Sequence, residues 1–346
     1  AKGSTAGSAV SAILLNTPGE PSSAPTALDG YPLSQKGQAS KALKMGLFAS
    51  VIGDFFATLL LIFLAAPLAE YALLFGPVEV TAILLFSLTF IAALSGNSLV
   101  KGLIAGLFGL LFSTVGMEVE TATVRFSFDI LELYDGLSLI PVAIGMLAVA
   151  EMMVQLGGLE ALEHQQKLLK ENVKSINQNI SWEEWKLSFP AIVRGTAVGS
   201  VVGILPGLGA SVASFLSYGL AKKAAKDPSR FGKGAIEGIA AAESADNAVV
   251  PSSLVPLFAL GIPGSVIAAI LIGAFIIQGV TPGPLMFVQQ PELVNGIYLS
   301  MICASLLLLF IGYFGQKLFS LLSLVSLRLI LSLIHIYEPT RRKRIS

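Results

Sequence analysis

Glu243 and Asp246 stand three residues apart in AAESADNAVVPSSL, with Asn247 directly after them. On a helix that spacing puts both carboxylates on one face. Residues 247 to 291 then carry no charge, so these acids border or enter hydrocarbon, where an ionisable side chain is costly and a functional candidate by default. Asp54, the only charge between Met45 and Ala66, qualifies on the same ground. Such acids can hold a coupling cation or carry a proton. Asn16, Glu20 and Asn247 add side-chain oxygens suited to Na⁺, although Glu20 would repel a carboxylate placed too close. Plainer roles compete: Glu243 and Asp246 as helix caps at the membrane interface, and Asp54 paired with a polar neighbour. The sequence has no H-E-x-x-H, neither His164 nor His335 has a His partner at ligand spacing, and Cys303 is alone. No catalytic residue, cofactor or metal is therefore expected beyond Na⁺ or H⁺ as the coupling ion.

The element that must position these groups is Gly195 to Ala221, GTAVGSVVGILPGLGASVASFLSYGLA, a charge-free run with Pro206-Gly207 near its middle. A spanning helix needs about 20 apolar residues, and the Pro-Gly break leaves limbs of eleven and fourteen. Arg194 precedes the run, and Lys222, Lys223, Lys226, Arg230 and Lys233 follow it. Basic flanks on both sides place both ends on the cytoplasmic face, which predicts a re-entrant hairpin. Backbone that turns inside hydrocarbon is tolerated where protein buries it or where it lines a wet cavity.

The chain is 54% hydrophobic and 13% charged, with a mean hydropathy of +0.78, which excludes an ordinary soluble domain. The long uncharged runs point to helices rather than the ten-residue alternating segments of a membrane barrel. Lys plus Arg and Asp plus Glu balance at 22 each, leaving no field for nucleic acid. Charge placement predicts topology: a basic cytoplasmic loop over Tyr31–Lys44, a span over Met45–Ala66, and an outer loop over Pro67–Glu79. Spans over Val80–Leu99, Gly102–Gly116 and Gly136–Leu156 follow, with an acidic outer loop over Met117–Asp135. After the hairpin, a broken span centred on Ile262-Pro263-Gly264 leads to Glu292 outside, and Leu293–Gln316 returns inward.

Placing Pro18-Gly19 over Pro263-Gly264 aligns Leu15 with Leu260 and Ala24 with Ala269, at an offset of 245. The flank after the first break is basic and the flank after the second ends at an outer Glu292, so equivalent elements would cross in opposite senses. The expected fold class is an all-α polytopic membrane protein with inverted-topology repeats, a re-entrant hairpin and broken transmembrane helices. The predicted divisions are 1–156, the remainder of a first transmembrane repeat; 157–194, a cytoplasmic amphipathic connector; 195–330, a second repeat with the hairpin at about 195–221 and the broken helix at about 247–281; and 331–346, a tail. The tail contains LSLIHIYEPTR, which resembles a translated sequencing adapter and reads as non-native.

SAILLNTPGEPSSAPTALDGYPLSQKGQA, GILPGLGAS, AAESADNAVVPSSLVPLFALGIPGS and GVTPGPLMF together resemble the large membrane subunit of the tripartite tricarboxylate transporters, a similarity that covers Ala6 to about Phe319. The resemblance implies a permease of the bacterial inner membrane that works with a small membrane subunit and a periplasmic carboxylate-binding protein, driven by a cation gradient. Members normally carry a first Pro-Gly-Leu-Gly motif ahead of the first Pro-Gly-Glu motif. Its absence here reads as a fragment lacking the start of the first repeat and the native C-terminus.

A carboxylate entering the membrane must have its lost hydration replaced, and backbone N–H groups at broken-helix ends supply this without a fixed charge. The expected substrate contacts are Thr17, Pro18, Gly19, Ser22 and Ser23 at the first break, Pro206, Gly207, Leu208, Gly209, Ala210 and Ser211 at the hairpin tip, and Gly261, Pro263, Gly264 and Ser265 at the second break, with Ser252 and Ser253 nearby. Small hydroxyl residues also serve simply to let helices pack closely. Secondary uptake of citrate, other tricarboxylates or related carboxylates is the leading expectation. An intramembrane enzyme acting on a lipid or polyprenyl substrate and a non-transporting scaffold are the alternatives.

Overall fold

The computed structural model describes residues 2–76 apart from 17, residues 179–322 apart from 207, and scattered stretches between, chiefly 99–117 and 123–128. Most of the expected spans Val80–Leu99 and Gly136–Leu156, residues 157–178 of the connector and the 331–346 tail lie outside the described residues, as do Thr17 and Gly207.

The described chain is almost entirely helical. Helix α1 (Lys2–Leu15) ends at the first Pro-Gly break, a 3₁₀ turn (Pro21–Ser23) leads into α2 (Ala24–Leu33), and a π turn (Ser34–Gln38) joins α2 to the long α3 (Ala39–Ala72). Helix α4 (Leu99–Ser113) is followed by a two-stranded antiparallel ribbon, β1 (Gly116–Met117) and β2 (Val124–Arg125). Then come α5 (Trp182–Ile204), α6 (Gly209–Ala224), α7 (Ile236–Ser252), α8 (Leu254–Leu260), α9 (Val266–Ile277), α10 (Met286–Gln289) and α11 (Pro291–Leu322). The ribbon is the one departure from an all-α chain among the described residues.

Three helical segments among the described residues are long and apolar enough to cross a membrane: Pro21–Ala72, Trp182–Ile204 and Pro291–Gly315. Their packing is inverted relative to a water-soluble protein. Phe63 on α3 is 75% exposed while Asp54 on the same helix is fully buried, and Phe310 on α11 is exposed while Ser305 is buried. Apolar side chains outside and polar ones inside suit a hydrocarbon solvent, where buried polar groups pair with one another.

Helix α7 is the axis. Every residue from Ile236 to Ser252 is buried except Val250, with α3 on one side, α5 on another and α6 and α2 completing the wall. Its run of Ala240, Ala241, Ala242, Ala245 and Ala248 keeps it thin, and its neighbours present glycine to it. On α5, Gly195, Gly199 and Gly203 recur every four residues. A Cβ at Gly195 or Gly199 would overlap Ser244 or Ala245, and one at Gly203 would come within 2.8 Å of Ser252. Gly53 on α3 meets the Ser244 carbonyl equally closely. In a membrane, where apolar contact with lipid is as good as apolar contact with protein, such close backbone approach is a principal source of helix association.

Several boundaries differ from the sequence reading: α3 runs through Pro67 to Ala72, into the expected outer loop, and Lys101, expected at a turn, lies within α4. The expected loop over Tyr31–Lys44 is helical, turning only at the π segment, where Gly37 takes φ 76°. The first limb of the hairpin begins at Trp182 rather than Gly195, so Arg194 sits in mid-helix. A capping box starts this helix: Ser181 Oγ accepts from the Glu184 amide and Glu184 Oε2 accepts from the Ser181 amide, which satisfies donors left free at a helix start.

A buried aspartate ties the two halves together. Asp29 Oδ1 accepts from the amides of Gly232, Gly234 and Ala235, each at 2.8 Å, and Asp29 Oδ2 accepts from the Tyr218 hydroxyl at 2.8 Å. One carboxylate on α2 thereby fixes the loop between α6 and α7. At the surface end of that loop, the Ser229 hydroxyl and amide donate to Asp227 and hold its carboxyl below the usual carboxylate range.

Candidate functional site

The breaks at Pro18-Gly19 and Pro263-Gly264 are each held by an upstream serine, Ser8 on α1 and Ser253 at the junction of α7 and α8. Helix α1 ends at Leu15 and Asn16 takes a left-handed φ of 53°; helix α8 ends at Leu260 and Gly261 takes φ 73°. In the first break the Glu20 amide donates to Ser8 Oγ at 2.7 Å, Ser8 and Ser23 share a hydroxyl bond of 2.5 Å, and Gly19 lies against Ser8. In the second, the Gly264 amide donates to the Ser253 carbonyl at 3.2 Å and Ser265 Oγ donates to Ser253 Oγ at 3.0 Å. Ser265 then caps α9 by accepting from the Ala268 amide. Asn16 and Gly261, Gly19 and Gly264, and Ser8 and Ser253 are each 245 positions apart. Ser8 was not among the residues expected from sequence; the same offset, carried upstream of the Pro-Gly pair to Ser253, would have pointed to it.

The three interruptions meet around the second half of α7. The Pro21–Ser23 turn packs on α6 and α7. At the hairpin tip, Leu208 and Ala210 pack with Val202 and Ala213 against Ala245 and Val249. Gly264 lies so close to the end of α5 that a Cβ there would come within 2.9 Å of the Gly203 carbonyl. Pro206, Gly209 and Ser211 at the tip, and Pro18, Pro263 and Ser265 at the breaks, are half-buried, while Asn16 and Gly19 are exposed.

Glu243 and Asp246 lie in the interior of α7 and are both fully buried. Their environments differ. Glu243 Oε1 accepts from Thr26 Oγ1 at 2.5 Å, and Oε2 accepts from Ser50 Oγ at 2.9 Å. Asn247 Nδ2 donates to Ser50 Oγ at 2.9 Å and to the Glu243 carbonyl at 3.0 Å. Asp246 has no such support: Ser22 lies beside it without reaching hydrogen-bond geometry, and both carboxylate oxygens, Ser22 Oγ and Asn247 Oδ1 are buried without a hydrogen-bond partner among the described residues. A bare buried carboxylate is too costly to persist as a free charge. Chemically, Asp246 with Ser22 and Asn247 can hold a proton or a monovalent cation. No group of three or more His, Cys, Asp or Glu residues that would suit a metal ion occurs among the described residues.

Asp54 belongs to a different cluster. Its Oδ2 pairs with Lys2 Nζ at 2.9 Å and accepts from Ser305 Oγ at 2.5 Å. Glu20 takes part in the first break, where Ser4 Oγ donates to it. Lys2 and Asp29 were not singled out from sequence.

The sequence matches the Tripartite tricarboxylate transporter TctA family over residues 1–337. The chain belongs to that family. With the membrane-length apolar helices described above, membership makes it a multi-pass membrane protein, and the matched region runs into the first residues of the 331–346 tail. It is 41% identical over 310 residues to an uncharacterized 52.8 kDa protein of the TAR-I ttuC′ 3′ region of Agrobacterium vitis, covering 90% of this chain and 61% of that protein. It is also 49% identical over 114 residues to an uncharacterized protein of the TAR-II ttuC′ 3′ region of the same organism, covering 33% of this chain and 47% of that one. The TctA-family chain thus spans about 61% of the length of the first of these relatives. No solved structure gives a significant match.

Proposed function

We propose that this chain is the membrane-embedded translocation subunit of a binding-protein-dependent secondary transporter, taking up tricarboxylates or related carboxylates across a bacterial inner membrane. A small membrane subunit and a periplasmic carboxylate-binding protein complete the system, and a Na⁺ or H⁺ gradient drives it. The observation that carries this reading is the meeting of three broken elements around the second half of α7, which carries Asp246, a carboxylate with no hydrogen-bond partner among the described residues. Backbone amides at the breaks bind the substrate anion, and Asp246, Ser22 and Asn247 take the coupling ion, supported by Glu243. Helix ends at Leu15 and Leu260, each followed by a left-handed residue, fall 245 positions apart and support a repeated architecture, which we read as inverted, with α5 and α6 entering and leaving on one side as a re-entrant hairpin.

The test is uptake of a labelled carboxylate panel into membrane vesicles by the full-length transporter with its partner subunits, with and without a Na⁺ or pH gradient. Gradient-driven uptake that is lost in Pro206→Ala and in Asp246→Asn is expected. Uptake indifferent to both gradients, or full activity in both variants, would overturn the reading.

A further inference from the structure

Lys2 has an unusual setting for a lysine. Its ammonium lies between α1, α3 and α11 and donates to Asp54 Oδ2 at 2.9 Å, Thr58 Oγ1 at 3.2 Å, the Met301 carbonyl at 2.8 Å and Ser305 Oγ at 2.8 Å. Four acceptors surround a group that has three N–H bonds. One acceptor is therefore always in excess, and the ammonium can exchange one for another ligand without losing its full complement. Asp54 is correspondingly under-supplied, since its Oδ1 is buried without a hydrogen-bond partner among the described residues.

Beside this pair lies a cavity of about 430 Å³, within the size range of small-molecule sites. Among the described residues, Lys2 is the only charged residue lining it, and Ser253, at the second break, is the only other polar side chain. The remaining wall is apolar and includes Val250, Leu254, and Phe258 and Phe275 in an edge-to-face pair with centroids 6.0 Å apart. An anion entering such a space requires a counter-charge, and this cavity supplies one.

We propose that Lys2 is the cation that binds a substrate carboxylate in this cavity, and that Asp54 holds Lys2 when the cavity is empty. The inference rests on the transport reading above. One ammonium and one hydroxyl against apolar and aromatic walls fit a carboxylate with a single anionic head and an apolar body; a tricarboxylate would leave further charges against hydrocarbon. When the ligand takes the ammonium, Asp54 loses its partner and must gain a proton or a cation, so substrate and cation binding favour each other.

Removing Lys2 alone strands a buried carboxylate and risks misfolding, so the decisive variants are Asp54→Asn and the double variant Lys2→Met/Asp54→Asn, which removes both charges together. Benzoate and citrate are titrated calorimetrically into the purified full-length protein, with thermal unfolding as the control for folding. The wild type is expected to prefer benzoate. Asp54→Asn, by freeing Lys2, should bind benzoate roughly ten-fold more tightly, and the double variant roughly ten-fold more weakly than wild type, the scale of one charge-assisted contact. A purely structural ion pair would weaken or leave binding unchanged in Asp54→Asn. That result, wild-type affinity in the double variant, preference for citrate, or no binding of either probe overturns the proposal. Vesicle uptake measured in parallel separates the two readings: carboxylate uptake that ignores Lys2 removes only this proposal, whereas no gradient-driven uptake of any carboxylate removes the transport reading as well.

Discussion

Gly199 on α5 rests on the carbonyl of Ala245 on α7, the residue immediately before Asp246. The packing seam and the candidate cation site are thus one structure, since the glycine that lets two helices touch also fixes the backbone that carries the unpartnered carboxylate. Gly199→Ala should lower stability by about 1–3 kcal/mol through overpacking. Gly199→Leu should prevent assembly of the bundle. Thermal unfolding followed by size-exclusion chromatography reads both, and a fully stable Gly199→Leu protein would show that α5 does not pack on α7 as described.

Asp246→Asn tests the site with an opposite sign for stability and function. Replacing a buried, unpartnered carboxylate with a neutral amide removes a desolvation cost, so stability should stay level or rise by on the order of 1 kcal/mol. Gradient-driven uptake should be lost in the same variant. Loss of stability together with loss of uptake would instead mark Asp246 as a structural residue.

Asp29 predicts the reverse pattern. Asp29→Ala removes the acceptor for three backbone amides and for Tyr218, and should cost more than about 3 kcal/mol, given about 1.5–3 kcal/mol for a bond to a charged group. Tyr218→Phe removes one of the four bonds and should cost about 1–2 kcal/mol. Thermal unfolding midpoints should order as wild type, Tyr218→Phe, Asp29→Ala; equal midpoints for wild type and Asp29→Ala would be incompatible with this clamp.

Ser8 holds the first break through its side chain, whereas Ser253 holds the second through its main-chain carbonyl, so Ser8→Ala and Ser253→Ala should differ. Ser8→Ala should cost about 1 kcal/mol or more in stability, and Ser253→Ala, which keeps the carbonyl and loses the bond to Ser265, should cost less. Equal losses in thermal unfolding would show that the Ser8 hydroxyl does not hold the first break.

The sequence by itself determined the membrane class and the places where helices break. These features are local: uncharged runs, Pro-Gly pairs and flanking charges constrain backbone geometry within a few residues. It also singled out Glu243 and Asp246, because an acid next to a long uncharged stretch needs a reason to be there. Tertiary structure decided what those acids meet. Nothing near Glu243 in the chain announces Thr26 or Ser50, and nothing near Asp54 announces Lys2 or Ser305. Asp29 was passed over because its amide donors lie more than two hundred positions away, in a glycine-containing loop that reads as a mere connection. The start of α5 at Trp182 likewise depended on a capping box and on contact with α7, since a polar stretch gains a helix when a neighbour covers one of its faces. Polar partners inside a bundle are chosen by which helices come together, and that choice is made by glycine and alanine seams whose contacts are long-range.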